Sequence, residues 1–215
     1  MPKLRESAAK VETSVKRWDH YIFKIGLVLI GIGAIILFFI YLPIGTQEIK
    51  YSINQDRYAK AIPTPVDKKF GLIFPKLGIN AKVVANVDPY DPKIYQQSLT
   101  KGVAHAKGTR FPGENGTVFI FAHSSANLIE AQRYNSVFYL VSKLKKGDSI
   151  IAYKNGKEYK YKLVKKEIVD PENIGYLNQK DGKEQLVLMT CWPPGTTEKR
   201  LLIIADRAAS NTVDH

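Results

Sequence analysis

The longest apolar stretch of the chain, Ile25 to Leu42, reads IGLVLIGIGAIILFFIYL and carries no charge. A helix needs roughly 20 such residues to cross the ~30 Å hydrocarbon core of a bilayer, so this stretch predicts one transmembrane helix. From Phe70 on the pattern changes. Apolar residues come in short runs separated by Gly, Pro, Asn and Asp, as in strands joined by turns. GLIFPKLGINAKVVAN reads as two strands linked by Lys76–Asn80. DPKIYQQSL reads as a helix with Asp91 as its cap and Pro92 at its first position. Val118–Ala122 reads as a strand entered through an Asn115-Gly116 turn. Asn115-Gly116-Thr117 also spells a glycosylation acceptor, but the turn is the preferred meaning. A short helix should end near Lys146-Gly147-Asp148. SIIAYK and KEYKYKLVKKEIV flank Asn155-Gly156, a two-residue hairpin signal, with Tyr159, Tyr161 and Leu163 alternating against lysines. Gln185–Thr190 and Arg200–Asp206 are nearly all apolar, as in central or buried strands. The sum is a mainly β domain, barrel or sandwich, with a few short helices.

The same pattern divides the chain. Residues 1–24 form a basic segment with Lys16, Arg17 and Lys24 close to the apolar stretch, and Tyr21 and Tyr41 stand where an aromatic belt would lie. The positive-inside rule puts this end in the cytoplasm and everything after Pro43 outside. A cleaved signal peptide would need a shorter apolar core and a small-x-small site, and FIYLPIGTQE offers neither. Residues 25–42 are therefore read as an uncleaved, single-pass plasma-membrane anchor. Residues 43–69 read as a stalk in which Pro63 and Pro65 favour extended backbone, with a short membrane-surface helix expected over Ile49–Lys60. Residues 70–208 are the folded domain and 209–215 a tail.

Composition narrows the chemistry. The 215 residues hold one cysteine, which excludes an internal disulfide and a Cys-based metal cluster. The four histidines show no ligand spacing, so no metal and no cofactor is expected. The net charge is +12; six of the 32 basic and three of the 20 acidic residues precede Pro43, leaving +9 on the remainder. Such a surface suits nucleic acid, phospholipid head groups or an acidic wall polymer. The lysines alternate with apolar residues rather than clustering, which reads as solvated strand faces, and no nucleic-acid partner is expected.

Three residues carry candidate chemistry. Cys191 follows the strand Gln185–Thr190, and Arg200, nine residues on, opens the next. If those strands pair antiparallel, their ends meet. His123 terminates Val118–Ala122. A thiol must become thiolate to attack an acyl carbon, and a nearby cation lowers its pKa. A histidine can supply that cation and later protonate a leaving amine. An arginine holds its proton, so it suits substrate binding or oxyanion stabilisation and not base catalysis. Taken singly, each residue has a structural reading: a small buried hydrophobe, a hydrogen-bonded turn histidine, a surface charge. Ser124 and Ser125 hint at a serine nucleophile, but no G-x-S-x-G elbow is present. His105 in GVAHAKG is a second histidine expected to line or pack.

At these residues the sequence resembles the sortase family, membrane-anchored cysteine transpeptidases of bacterial cell surfaces. The matching pieces are GVAHAKGTRFPGENGTVFIFAHS around His123, FYLVSKLKKGDSI, and LVLMTCWPPGTTEKRLLIIA. The last is the most specific, taking up the family's Leu-x-Thr-Cys as Leu188-Met189-Thr190-Cys191. The resemblance implies an eight-stranded β-barrel with a few short helices after one transmembrane helix. It implies Cys191 as nucleophile, His123 as acid/base, and Arg200 orienting substrate and stabilising the oxyanion. Thr190 would border the pocket and help position substrate, with Trp192, Tyr134 and Phe138 as further lining candidates. The partners implied are secreted proteins with a C-terminal signal like Leu-Pro-x-Thr-Gly and an amine acceptor, either a cell-wall precursor or a pilin lysine. Ala122 stands where many sortases have glycine, and WPPG after the cysteine looks like classes D and E. No acidic cluster matches the calcium site of the best-known class: Asp88, Asp91 and Glu114 are scattered and read as caps and turns.

Two rival readings remain at this level. One is another enzyme, a cysteine hydrolase or an L,D-transpeptidase. The latter usually resembles Ser-His-Gly-Cys with an arginine two residues after the cysteine, where this chain has Pro193. The other is a non-catalytic, membrane-tethered β-domain that binds anionic wall polymer.

Overall fold

The structure, a computed structural model, describes residues 21–39, 63–124, 138–173, 175–177 and 182–209. The chain divides into two units, Met1–Thr46 and Gln47–His215. In the first, helix α1 (Tyr21–Phe39) is long and apolar enough to cross a membrane. It begins before the expected Ile25 and takes in Lys24. Positions 40–42, the surface helix expected over Ile49–Lys60 and the tail from 210 lie outside the described residues.

In the second unit the described strands are β1 (Phe70–Phe74), β2 (Ile79–Val87), β3 (Val103–Ala106), β4 (Thr117–Phe121), β5 (Ser149–Lys154), β6 (Lys157–Val169), β7 (Gln185–Trp192) and β8 (Lys199–Arg207). They close into one barrel in the order β1-β2-β3-β4-β7-β8-β6-β5, which decides between barrel and sandwich. Helix α2 (Pro92–Leu99) connects β2 to β3, and these strands run parallel, as a crossover connection requires. Beside it, among the described residues, there are three 3₁₀ turns, at Pro75–Leu77, Tyr139–Lys143 and Gly175–Leu177. The second of them stands where the short helix before Gly147 was expected.

Local chemistry accounts for most of these elements. Asp91 caps α2, its carboxylate accepting from Lys93 N at 2.9 Å and Ile94 N at 3.2 Å. Asn155 (φ 50°) and Gly156 (φ 81°) both take the left-handed conformation that a type I′ hairpin demands, and Lys154 pairs with Lys157 across them. The unforeseen element is β3. Its four residues, VAHA, include two alanines and carry little strand propensity of their own, so β2 and β4 on either side impose the strand. The domain's hydrogen bonding also begins earlier than Phe70. Asn80 accepts from Val66 N at 2.9 Å and donates to Thr64 O at 2.6 Å, so the last stalk residues lie against β2.

Alternation along the strands builds two apolar clusters. Val118, Ile120, Leu186, Leu188, Leu201 and Ile203 point into the barrel, with Phe74, Phe138 and Tyr161. Phe119, Phe121, Val187, Met189, Leu202 and Ile204 point outward, where Leu99 and Tyr95 of α2 cover them. Strands β4, β7 and β8 are apolar on both faces because both faces are covered. At the end of β7 remote from Cys191, Glu184 ties three elements: it accepts from the buried Tyr161 hydroxyl, from Gly113 N at 2.9 Å, and pairs with Arg207 Nε at 3.3 Å.

Candidate active site

Strand β7 lies between β4 and β8. It pairs antiparallel with β8 so that Cys191 stands opposite Arg200. Both residues lie inside their strands, since β7 extends to Trp192 and β8 starts at Lys199. With β4 the pairing is parallel, Phe121 opposite Met189. Carried two residues past the end of β4, that register sets His123 beside Cys191. The backbone follows it: Ala122 N–H donates to Met189 O at 3.1 Å, and the Thr190 hydroxyl donates to Ala122 O at 2.9 Å.

Side-chain parity does the rest. In a strand, residues two apart share a face. His123 continues the outward row of Phe119 and Phe121, Cys191 that of Val187 and Met189, and Arg200 that of Leu202 and Ile204. All three line one groove of about 440 Å³ on the outer face of the barrel. Phe119, Phe121 and Met189 form its floor. Tyr90 and Tyr95 wall it on the α2 side, and Pro171, Asn173 and Thr197 on the other. Tyr95 meets Phe121 edge-on at 6.3 Å between centroids.

The electrostatics follow from burial. Cys191 is partly buried, which pushes its thiol above the usual cysteine pKa; the positive charge of Arg200 opposes that rise. Arg200 Nη1 donates to Thr197 O at 2.9 Å and Lys199 O at 3.0 Å, which holds the guanidinium over the loop joining β7 to β8. The neighbouring Lys199 pairs with Asp170 at 2.6 Å, tying the wall that carries Pro171 to the start of β8.

Of the residues singled out from sequence, His123, Cys191, Arg200 and Thr190 border this groove. Trp192 does not. By parity it points opposite to Cys191, and it packs against the inner cluster. Phe138 is likewise an inner-core residue, 1% exposed and edge-on to Phe74, rather than groove lining. Tyr134 and Ser125 lie outside the described residues; Ser124 is buried beside His123. His105 packs. Fully buried, it stacks on Phe111 at 4.5 Å, shares a 2.9 Å hydrogen bond with Arg110 O through Nε2, and accepts from Asn86 N through Nδ1. Burial lowers its pKa, which favours the neutral ring. Asp88 accepts from Tyr90 N and Glu114 from Phe111 N, each at 2.9 Å, while Asp91 caps α2. Among the described residues no group of three His, Cys, Asp or Glu side chains could hold a metal ion. The walls Tyr90, Tyr95, Pro171 and Asn173 were not legible in the sequence. The capping signal places α2 along the chain but does not say which strands it covers.

Known proteins place this arrangement. The family model described as "Sortase domain" matches residues 72–208, from β1 through β8. Sortase D of Bacillus subtilis (strain 168) is 28% identical over 162 residues, covering 74% of this chain and 73% of that protein. Among solved structures, sortase A of Corynebacterium diphtheriae superposes with a TM-score of 0.56 at 24% identity, covering 69% of this chain and 64% of the other. Sortase C-1 of Actinomyces oris gives 0.56 at 20% identity, covering 77% and 99%. A Clostridium perfringens sortase D5 transpeptidase gives 0.54 at 20% identity, covering 77% and 95%. At these identities the solved structures speak for the barrel, and the match to the family model, which takes in both the barrel and the groove, speaks for descent. The chain belongs to the sortase family of cysteine transpeptidases.

Proposed function

We propose that the protein cleaves a Leu-Pro-x-Thr-Gly-like sorting signal and transfers the released protein to an amine at the bacterial cell surface. The observation that carries this reading is the sharing of one outer groove by His123, Cys191 and Arg200, with the cysteine on the central of three adjacent strands. The steps balance without any oxidant or cofactor. The Cys191 sulfur attacks the threonine carbonyl carbon and its proton passes to His123. Arg200 neutralises the oxyanion. Collapse breaks the threonine–glycine bond, and the imidazolium gives its proton to the departing amine. The incoming amine then attacks the thioester, hands a proton to His123, and the sulfur leaves and recovers it. The raised thiol pKa fits a cysteine that is mostly protonated at rest and loses its proton on attack. The apolar floor suits the leucine-proline part of the signal. Helix α1 supports single-pass anchoring, with the lysine-rich N-terminus in the cytoplasm and the barrel outside. The relatives named sortase D and sortase D5 support a class D reading. Trp192, packed on the inner cluster, acts from within the fold rather than as a principal contact to the signal, while Thr190 borders the groove.

The test is to incubate the full chain in detergent with Leu-Pro-x-Thr-x peptides, with and without a simple amine, and weigh the products. A ligated product that needs Cys191 is expected. Hydrolysed peptide alone, unchanged by amine, would make the protein a cysteine hydrolase. Full turnover by Cys191→Ala would sink the thioester route altogether.

A further inference from the structure

Strand β4 ends at Phe121, two residues short of His123. Past that point Ala122 still bonds to β7 on both sides of its backbone. Ala122 donates its N–H to Met189 O at 3.1 Å, and its carbonyl accepts the hydroxyl of Thr190 at 2.9 Å. The carbonyl of Ala122 and the N–H of His123 belong to one planar peptide unit. Fixing the oxygen therefore fixes the plane from which the His123 side chain departs. Thr190 is 4% exposed, so water has little access to take the place of a lost hydroxyl. The same threonine immediately precedes Cys191 on β7. One side chain thus ties the residue before the imidazole to the residue before the thiol.

We infer that Thr190 is a positioning residue: its hydroxyl, by holding the Ala122–His123 peptide plane, keeps the imidazole in register with the Cys191 sulfur. This rests on the catalytic reading given above. It replaces direct substrate positioning by Thr190 with an action through Ala122, and the two differ in what happens with no substrate present. A substrate contact leaves the free enzyme's thiol unchanged; a lost register does not.

The experiment uses the full chain in detergent and measures alkylation of Cys191 by iodoacetamide as a function of pH, without peptide. Thr190→Val keeps the shape and removes the hydroxyl; Thr190→Ser keeps the hydroxyl. The Val variant should alkylate at neutral pH about 10-fold or more slowly than wild type, approaching the rate of His123→Ala, and the Ser variant should stay within about threefold of wild type. With peptide and amine, kcat should fall by about 10- to 100-fold with KM little changed, the size expected for ~1 Å misplacement of a reacting group. Adding Thr190→Val to His123→Ala should cost little more than His123→Ala alone, because both act through the imidazole. Melting curves establish that each variant is folded; should the Val chain melt below assay temperature, Thr190→Ala is read in its place at lower temperature, against the same outcomes. A folded hydroxyl-free variant with a wild-type alkylation profile overturns the proposal, and a rise in KM alone would return Thr190 to a substrate contact. Turnover surviving His123→Ala or Cys191→Ala would instead overturn the catalytic reading, a result visible without any Thr190 variant.

Discussion

The inner and outer faces of the β4-β7-β8 sheet are built from alternate residues of the same strands, yet they do different work. Inward, Ile120, Leu188 and Ile203 belong to one buried cluster to which every strand contributes. Outward, among the described residues, Phe121, Met189 and Leu202 are covered by what the connections bring, chiefly α2 and the loop after β6. Among the described residues that cover stops short of the strand ends where His123, Cys191 and Arg200 sit, and the groove lies there. A closed barrel supplies a rigid support because its interior is filled. It supplies a site because its exterior is filled incompletely.

Substitutions on the two faces should therefore separate activity from stability. Cys191→Ala should take transpeptidation to background while the melting temperature stays close to wild type, as measured by product mass and by circular dichroism. One position away from Met189, on the other face, Leu188→Ala should cost about 2–5 kcal/mol in denaturant unfolding. Its kcat/KM, taken where it is still folded, should stay within severalfold of wild type. If Leu188→Ala instead removed activity with stability intact, the division of labour between the faces would be wrong.

Smaller effects test the roof and the charges. Asp91→Ala should lower stability by about 1 kcal/mol through loss of the α2 cap. Because α2 carries the wall residue Tyr95, the same variant should raise KM for peptide more than it lowers kcat. For Cys191, burial and Arg200 act in opposite directions, and burial prevails. Alkylation of the wild-type thiol should keep rising with pH beyond the point where free cysteine levels off. Arg200→Gln should move the inflection higher still, because only the opposing positive charge is removed; an unchanged or lower inflection would mean that the guanidinium does not act on the sulfur.

The two histidines sharpen the contrast further. His105 is buried with a lowered pKa, so at acid pH the unfolded chain binds its proton more tightly than the folded one. Stability from this residue is present above the ordinary histidine pKa of about 6.5 and is lost as pH falls through it toward the lower folded value. Melting measured at pH 7.5 and 5.5 should show that loss, and His105→Gln, though less stable at the higher pH, should lose less between the two. Of two histidines on neighbouring strand segments, one belongs to the packing and one to the groove. Register alone separates them: His105 faces in with Val103, and His123 continues the outward row of Phe121.

Much of this was legible in the chain itself. The uncharged run near the N-terminus, the Asn155-Gly156 hairpin, the Asp91-Pro92 helix start and the doubly apolar β7 and β8 follow from short-range rules that need no distant partner. Cys191 beside Arg200 was readable too, because one antiparallel pairing across a short loop suffices. Other features depended on contacts far apart in sequence. β3 is a strand only because β2 and β4 flank it, the parallel β4–β7 pairing brings His123 over from 68 residues away to border a groove with Cys191, and the two-residue period turns Trp192 inward when its neighbour turns out. Local propensity sets what a segment can be; which face it shows, and to whom, is decided when the barrel closes and the register of every strand is set by all the others.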